Sequence, residues 1–186
     1  EAATYSVLAA AAAEEMTVEN IIPQHLESLL SKLEEIGVEM KVDIDKVTIK
    51  GRNPHLKATD IKTLPYPGFA TDIQQPLTAL LTQAEGQSIV TETIYTERFK
   101  HCHELNKMGA NINVMVPSSF INGPTRLSGA EVVATDLRCG ACLVIAGLIA
   151  DGITEISEIY HIDRGYENLD GKLSALGAKI WRETIA

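Results

Sequence analysis

The chain has 186 residues, 45% hydrophobic and 22% charged, an ordinary globular composition with length enough to bury a core. A net charge of −9, with no Lys/Arg run longer than two, argues against nucleic acid as a partner. No segment approaches the roughly 18 unbroken apolar residues of a membrane span, and three cysteines do not make a secreted disulfide framework. The composition therefore points to a reduced, cytoplasmic protein.

The opening "EAATYSVLAAAAAEEM" reads as a helix from about residue 2. It has no basic leader and carries Glu1, Glu14 and Glu15, which a signal peptide would not. It also starts in mid-pattern without a methionine, as a piece of something longer would. Next, Leu26, Leu29, Leu30, Leu33 and Ile36 form one apolar helical stripe. Gly37 suits the left-handed position that ends a helix, and the alternation after it suits a half-buried strand.

In the central part, strands are expected near 56–63, 88–95, 110–116 and 118–122, and helices near 72–84 and 97–108. Further on, strands are expected near 130–135, 154–160 and 178–184, and helices near 137–150 and 166–176. The run "LVIAGLIA" (143–150) is apolar all round, which predicts a helix buried on every side.

These elements repeat. "LEEIG", "LNKMG" and "LSALG" end at Gly37, Gly109 and Gly177, spaced 72 and 68 residues apart. Ala-acidic pairs at Ala13, Ala84 and Ala150 precede those glycines by 24, 25 and 27 residues. A period near 70 is too long for a solenoid and fits a βαβαββ unit. The expectation is an α/β (α+β) fold, one domain of three such units at about 1–54, 55–127 and 128–186. The first unit lacks its opening strand, three buried helices lie inside and three small sheets lie outside.

Acids stand before each buried helix, at Glu1, Asp72 and Asp136. One reading makes them caps of free N–H groups. The other gathers three helix N-termini and their acids at one end of the domain, with arginines, as a site for anions. Arg138, two residues after Asp136, and Arg98 in "TETIYTERF" are candidates for it. Arg164, beside Gly165 in "YHIDRGYENL", has a fork suited to phosphate or carboxylate.

Metal binding is not expected, since the five histidines show no ligand spacing and His101 and His103 point to different helix faces. Cys139 and Cys142 form a C-x-x-C at a helix start, the spacing of a redox dithiol. The alternative is that the small residues of "CGAC" serve close helix packing.

"YPGFATDIQQPL", "TETIYTERFKHCHELNKMGA", "LSGAEVVATDLRCGACLVIAGLIADG" and "IYHIDRGYENLDGKLSALGA" resemble the C-terminal half of the UDP-N-acetylglucosamine enolpyruvyl transferases. The resemblance covers essentially the whole chain, and "FATDIQQPL" is more similar to the second paralogue of low-GC Gram-positive bacteria. It implies an inside-out α/β barrel of two similar domains, each of three βαβαββ units. It also implies transfer of enolpyruvate from phosphoenolpyruvate to the 3-hydroxyl of UDP-N-acetylglucosamine, without a cofactor, in peptidoglycan synthesis.

By the same resemblance Asp72 is the base for the sugar hydroxyl, and the Ile94 backbone holds the UDP-sugar. Arg164 binds phosphoenolpyruvate, and Arg138, Asp136 and Arg98 line the cleft. The family's nucleophilic cysteine lies on the other domain, and none of Cys102, Cys139 or Cys142 matches it. The chain alone is therefore expected to be inactive, to need the missing N-terminal domain, and to self-pair through an unfilled sheet edge. Two alternatives stand beside this: a shikimate-pathway enolpyruvyl transferase, and a non-catalytic module that keeps the fold.

Overall fold

A computed structural model describes residues 1–186. Helices α1 (Ala2–Ala12), α3 (Thr71–Leu81) and α5 (Leu137–Ile149) pack against one another at the centre. Their contact faces are Val7, Ala9, Leu77, Leu80, Leu81, Leu143 and Ile145, all fully buried. Burying an aliphatic side chain of this size stabilises the fold by about 1.5–3 kcal/mol, so α1 and α5, apolar nearly all round, form the centre with the apolar face of α3.

Each central helix leads into a peripheral layer. The first has β1 (Glu15–Glu19), α2 (Glu27–Ile36), β2 (Glu39–Val42) and β3 (Lys46–Lys50), in an antiparallel sheet of order β1-β3-β2. The second has β4 (Ile61–Lys62), β5 (Gly86–Thr91), α4 (Lys100–Lys107), β6 (Asn111–Met115) and β7 (Ser118–Gly123), in the order β4-β5-β7-β6. The third has β8 (Glu131–Val133) and β9 (Glu155–Ser157) in parallel, then α6 (Tyr160–Asp163) and α7 (Leu169–Ala175).

Gly37, Gly109 and Gly177 have φ of +101°, +101° and +99°. A side chain there would be strained, and the shared conformation turns each outer helix back in the same way.

The first layer has three strands where the second has four. The absent one is the counterpart of β4, so the opening strand is missing as the spacing predicted.

Three other expectations need correction. Residues 178–184 are not a strand, because no antiparallel partner lies beside the three-residue β9. The tail instead runs to the loop around α6 and α7, where Arg182 bonds Asp163 and Asp170. The strand expected over 56–63 shrinks to Ile61–Lys62. There, side chains replace ladder bonds: the Thr59 N–H donates to Ser88 Oγ, and the Ile89 N–H donates to Asp60 Oδ1. The helix expected over 166–176 begins only at Leu169, because Asn168 is left-handed at φ +50°.

No helix is long and apolar enough to cross a membrane. The thiols of "CGAC" are packing groups. Cys139 and Cys142 are buried in α5, and a Cβ on Gly140 between them would strike the Ile162 side chain. Burial pushes the Cys139 and Cys142 thiols up and Cys102 up to about 12, so almost none is thiolate at neutral pH. Native protein is expected to leave all three unmodified by a thiol reagent that labels three after denaturation. Rapid labelling of Cys139 or Cys142 in the native state would contradict this.

Candidate active site

The N-termini of α1, α3 and α5 meet at one end of the helix trio, and one chain of polar contacts crosses all three. Thr4 of α1 shares a 2.8 Å hydrogen bond with the hydroxyl of Tyr166. Arg138 of α5 donates to the same hydroxyl at 3.1 Å and, through its other Nη, to Asp72 Oδ2 at 3.3 Å. Arg98 donates to the second oxygen, Oδ1, also at 3.3 Å, and to Thr71 Oγ1 at 3.1 Å. Its guanidinium lies 4.3 Å over the Tyr95 ring, a cation–π contact that fixes its plane.

Asp72 is thus held between two guanidiniums while its side chain stays 55% exposed. Each pair is partly solvated and contributes at most about 1 kcal/mol to stability. What the pairs provide is position: a carboxylate aimed into solvent, flanked by two cations. Pro76 has no N–H, so the Asp72 carbonyl is left out of the helical ladder at the site-facing end.

Under this row lies Glu92, a fully buried carboxylate just after β5. Its Oε1 accepts from Thr63 Oγ1 at 2.7 Å and from the N–H groups of Ile94 and Tyr95 at 3.0 and 3.1 Å. Its Oε2 accepts from Thr71 Oγ1 at 2.9 Å and Gln74 Nε2 at 3.3 Å. Burial pushes its carboxyl up, but the bond from Thr63, then those from Tyr95, Ile94 and Thr71, more than offset that and leave it below the usual range. Glu92 therefore shapes the Ile94–Tyr95 turn and, through Thr71, steadies Arg98.

Of the residues named from sequence, Asp72, Arg98 and Arg138 are in direct contact. Asp136 is primarily a cap: its Oδ1 accepts from the N–H of Arg138 at 2.8 Å and of Cys139 at 2.9 Å. It also lines an open cleft of about 570 Å³ with Ile94, Tyr95, Arg98 and Lys100. Ile94 borders that cleft, but its N–H is committed to Glu92. Arg164 is not brought into the row. It closes α6 with an exposed, unpaired side chain, two residues from Tyr166. A second hollow of about 380 Å³ lies at the opposite helix ends, lined by Ala10, Leu80, Leu148 and Arg52, and holds no acid or nucleophile.

Glu92, Thr71 and Tyr166 were missed from sequence. An acid followed two and three residues on by free N–H groups is a turn signature that could have marked Glu92. Tyr166 gave no signal, being placed in a continuous helix.

His101 sits behind the cleft, fully buried, with Nδ1 unpartnered and with Asp136, Arg98 and Glu92 as its charged neighbours. Burial lowers it to about 3, so it folds neutral. The unfolded chain takes up a proton at this residue below about pH 6.5, whereas the folded chain does not. Its contribution is thus complete above that pH and falls by about 1.4 kcal/mol per pH unit toward pH 3. Denaturation of His101→Gln between pH 4 and 6.5 should show a shallower pH slope than the parent. Identical slopes would contradict a buried neutral imidazole.

The sequence profile of EPSP synthase (3-phosphoshikimate 1-carboxyvinyltransferase) matches residues 1–173. The chain is 56% identical to UDP-N-acetylglucosamine 1-carboxyvinyltransferase 2 of Bacillus subtilis and 58% to the protein of that name in Bacillus cereus. Each alignment takes in 100% of this chain and 43% of the relative, so the chain spans less than half the length of the curated relatives it matches. The solved enolpyruvyl transferase NikO of Streptomyces tendae superposes with a TM-score of 0.88 at 27% identity, over 95% of this chain and 42% of that one. An EPSP synthase of Acinetobacter baumannii shares the fold, with a TM-score of 0.66 at 20% identity over 84% of this chain and 38% of that one. The profile match over residues 1–173, on a fold shared with these transferases, shows that the chain belongs to the EPSP synthase family of carboxyvinyl (enolpyruvyl) transferases.

Proposed function

We propose that this chain forms the acceptor-activating side of an enolpyruvyl transferase that uses phosphoenolpyruvate and UDP-N-acetylglucosamine. The observation that carries the reading is Asp72, an exposed carboxylate fixed between Arg98 and Arg138 where three helix N-termini meet. It is supported by 56–58% identity to proteins named for that transfer.

The chemistry needs three things from a protein: a base for the sugar 3-hydroxyl, an acid for the enol methylene, and cations for phosphate and carboxylate. Asp72 removes the hydroxyl proton as the oxygen adds to C2 of phosphoenolpyruvate, and the methylene carbon C3 gains a proton. Loss of a C3 proton then re-forms the double bond as the C2–O bond to phosphate breaks, giving the enolpyruvyl ether and inorganic phosphate. Arg138, Arg98 and the nearby Arg164 supply cations for the donor's anionic groups. The helix N-termini add partial positive charge in the same direction. The Ile94 turn and Asp136 border the space for the UDP-sugar.

The acid for C3 is assigned to the remaining length of a family-sized polypeptide, the N-terminal domain that completes the cleft. In this reading the chain occupies residues 1–186 of one domain, acts in the cytoplasm on a cell-wall precursor, and thereby serves cell shape and division. Without that second domain, the free edge of β1 is open to pairing between copies.

The test is phosphate release from phosphoenolpyruvate with UDP-N-acetylglucosamine, by this chain alone and within a polypeptide of the relatives' full length. Release only by the long form is expected. Equal rates from the chain alone would overturn the division of labour, and no release from either would overturn the function.

A further inference from the structure

The segment that delivers Tyr166 also carries Arg164, whose guanidinium is exposed and enters no hydrogen bond or ion pair. The preceding residue is an acid, Asp163, and a second acid, Asp170, stands at the start of α7. Both are taken by another arginine. Arg182 donates from Nη1 to Asp163 Oδ2 at 2.9 Å, and from Nη2 to Asp163 Oδ1 at 2.6 Å and to Asp170 Oδ1 at 2.7 Å. The bidentate fork on Asp163 is the strong, directional form of this contact.

Ala178 and Ile180 of the tail pack against the core. Residues 178–186 form neither helix nor strand, and the Trp181 indole bonds only Glu183, two residues on. Arg182 is the one polar side chain that ties this tail to the body. Consistent with full engagement, its hydrogen bonds hold the Asp163 and Asp170 carboxyls below their ordinary range.

We propose that Arg182 is a positioning residue: by occupying Asp163 and Asp170 it leaves the adjacent Arg164 unpaired and available to the anionic groups of phosphoenolpyruvate. This rests on the reading of the site given above. With Arg182 present, the carboxylates of Asp163 and Asp170 are neutralised. Without it, two uncompensated acids stand beside Arg164, compete with an incoming anion for it and repel that anion.

The experiment uses the full-length polypeptide and follows steady-state kinetics together with equilibrium binding of phosphoenolpyruvate. Arg182→Gln should raise KM for phosphoenolpyruvate roughly tenfold, the scale of one lost charge contact, and leave KM for UDP-N-acetylglucosamine and kcat close to the parent's. Adding Asp163→Asn and Asp170→Asn to Arg182→Gln should restore the phosphoenolpyruvate KM, because the two carboxylates that Arg182 neutralised are gone although the tail is still untied. A triple variant as impaired as Arg182→Gln would overturn the proposal and make Arg182 a tether. So would a single variant that binds phosphoenolpyruvate as tightly as the parent. If the parent itself neither binds nor turns over phosphoenolpyruvate, the functional reading falls as well, and the parent titration shows which has failed.

Discussion

Asp72→Asn in the full-length polypeptide is expected to lower kcat by about a thousandfold, within the usual 10²–10⁴ range for loss of a positioned base, without unfolding the domain. The side chains are nearly isosteric. An asparagine keeps one oxygen for a guanidinium but presents an NH₂ to the other, and it cannot accept the hydroxyl proton. The fold should hardly notice. Asp72 is half exposed, and its two ion pairs together contribute no more than about 1–2 kcal/mol. Arg98 stays anchored on Thr71 and Tyr95, and Arg138 on Tyr166. Kinetics and thermal denaturation on the same sample check both halves of the expectation. Turnover within tenfold of the parent would remove Asp72 from the role of base.

Glu92 should give the largest stability effect of any single residue at the site. Glu92→Leu strands five donors: the hydroxyls of Thr63 and Thr71, the Gln74 amide, and the N–H groups of Ile94 and Tyr95. Two hydroxyls can rotate to other acceptors, but the backbone N–H groups cannot. An unsatisfied buried donor costs about 1–3 kcal/mol, so the total loss is about 4 kcal/mol, against about 2 for Glu92→Gln, which keeps one oxygen. Acid titration carries the same signature. The folded carboxyl lies below its ordinary value, so its contribution is complete above about pH 4.3 and is lost as pH falls toward the folded value. Urea denaturation at pH 7 measures the first effect. A Glu92→Leu protein within 1 kcal/mol of the parent would show that the turn holds itself.

The parts of the fold that were legible in the sequence are those fixed locally. Gly37, Gly109 and Gly177 could be paired by spacing because a helix terminus that needs positive φ restricts the residue there, and all three have it. The central helix α5 was legible because it has almost no polar face. Residues 178–184 were not, since alternation shows that a segment can be a strand but not whether a partner lies beside it. Asp136 was legible as a cap because its acceptor role depends only on residues two and three positions on. By contrast, Glu92 draws its donors from the end of β4, from α3 and from its own turn. Tyr166 reaches across to Thr4, 162 residues away. Such contacts exist only once the three layers are folded against one another. The same holds for Arg182, whose place over Asp163 depends on the tail leaving Gly177 without entering a sheet.

The most direct test offers the full-length polypeptide two acceptors at equal concentration, UDP-N-acetylglucosamine and shikimate 3-phosphate, with phosphoenolpyruvate as donor. Products are identified by mass spectrometry. Enolpyruvyl-UDP-N-acetylglucosamine with one equivalent of phosphate, abolished by Asp72→Asn, is the predicted result. Enolpyruvyl transfer to shikimate 3-phosphate, or UDP-sugar turnover that persists in Asp72→Asn, would contradict it.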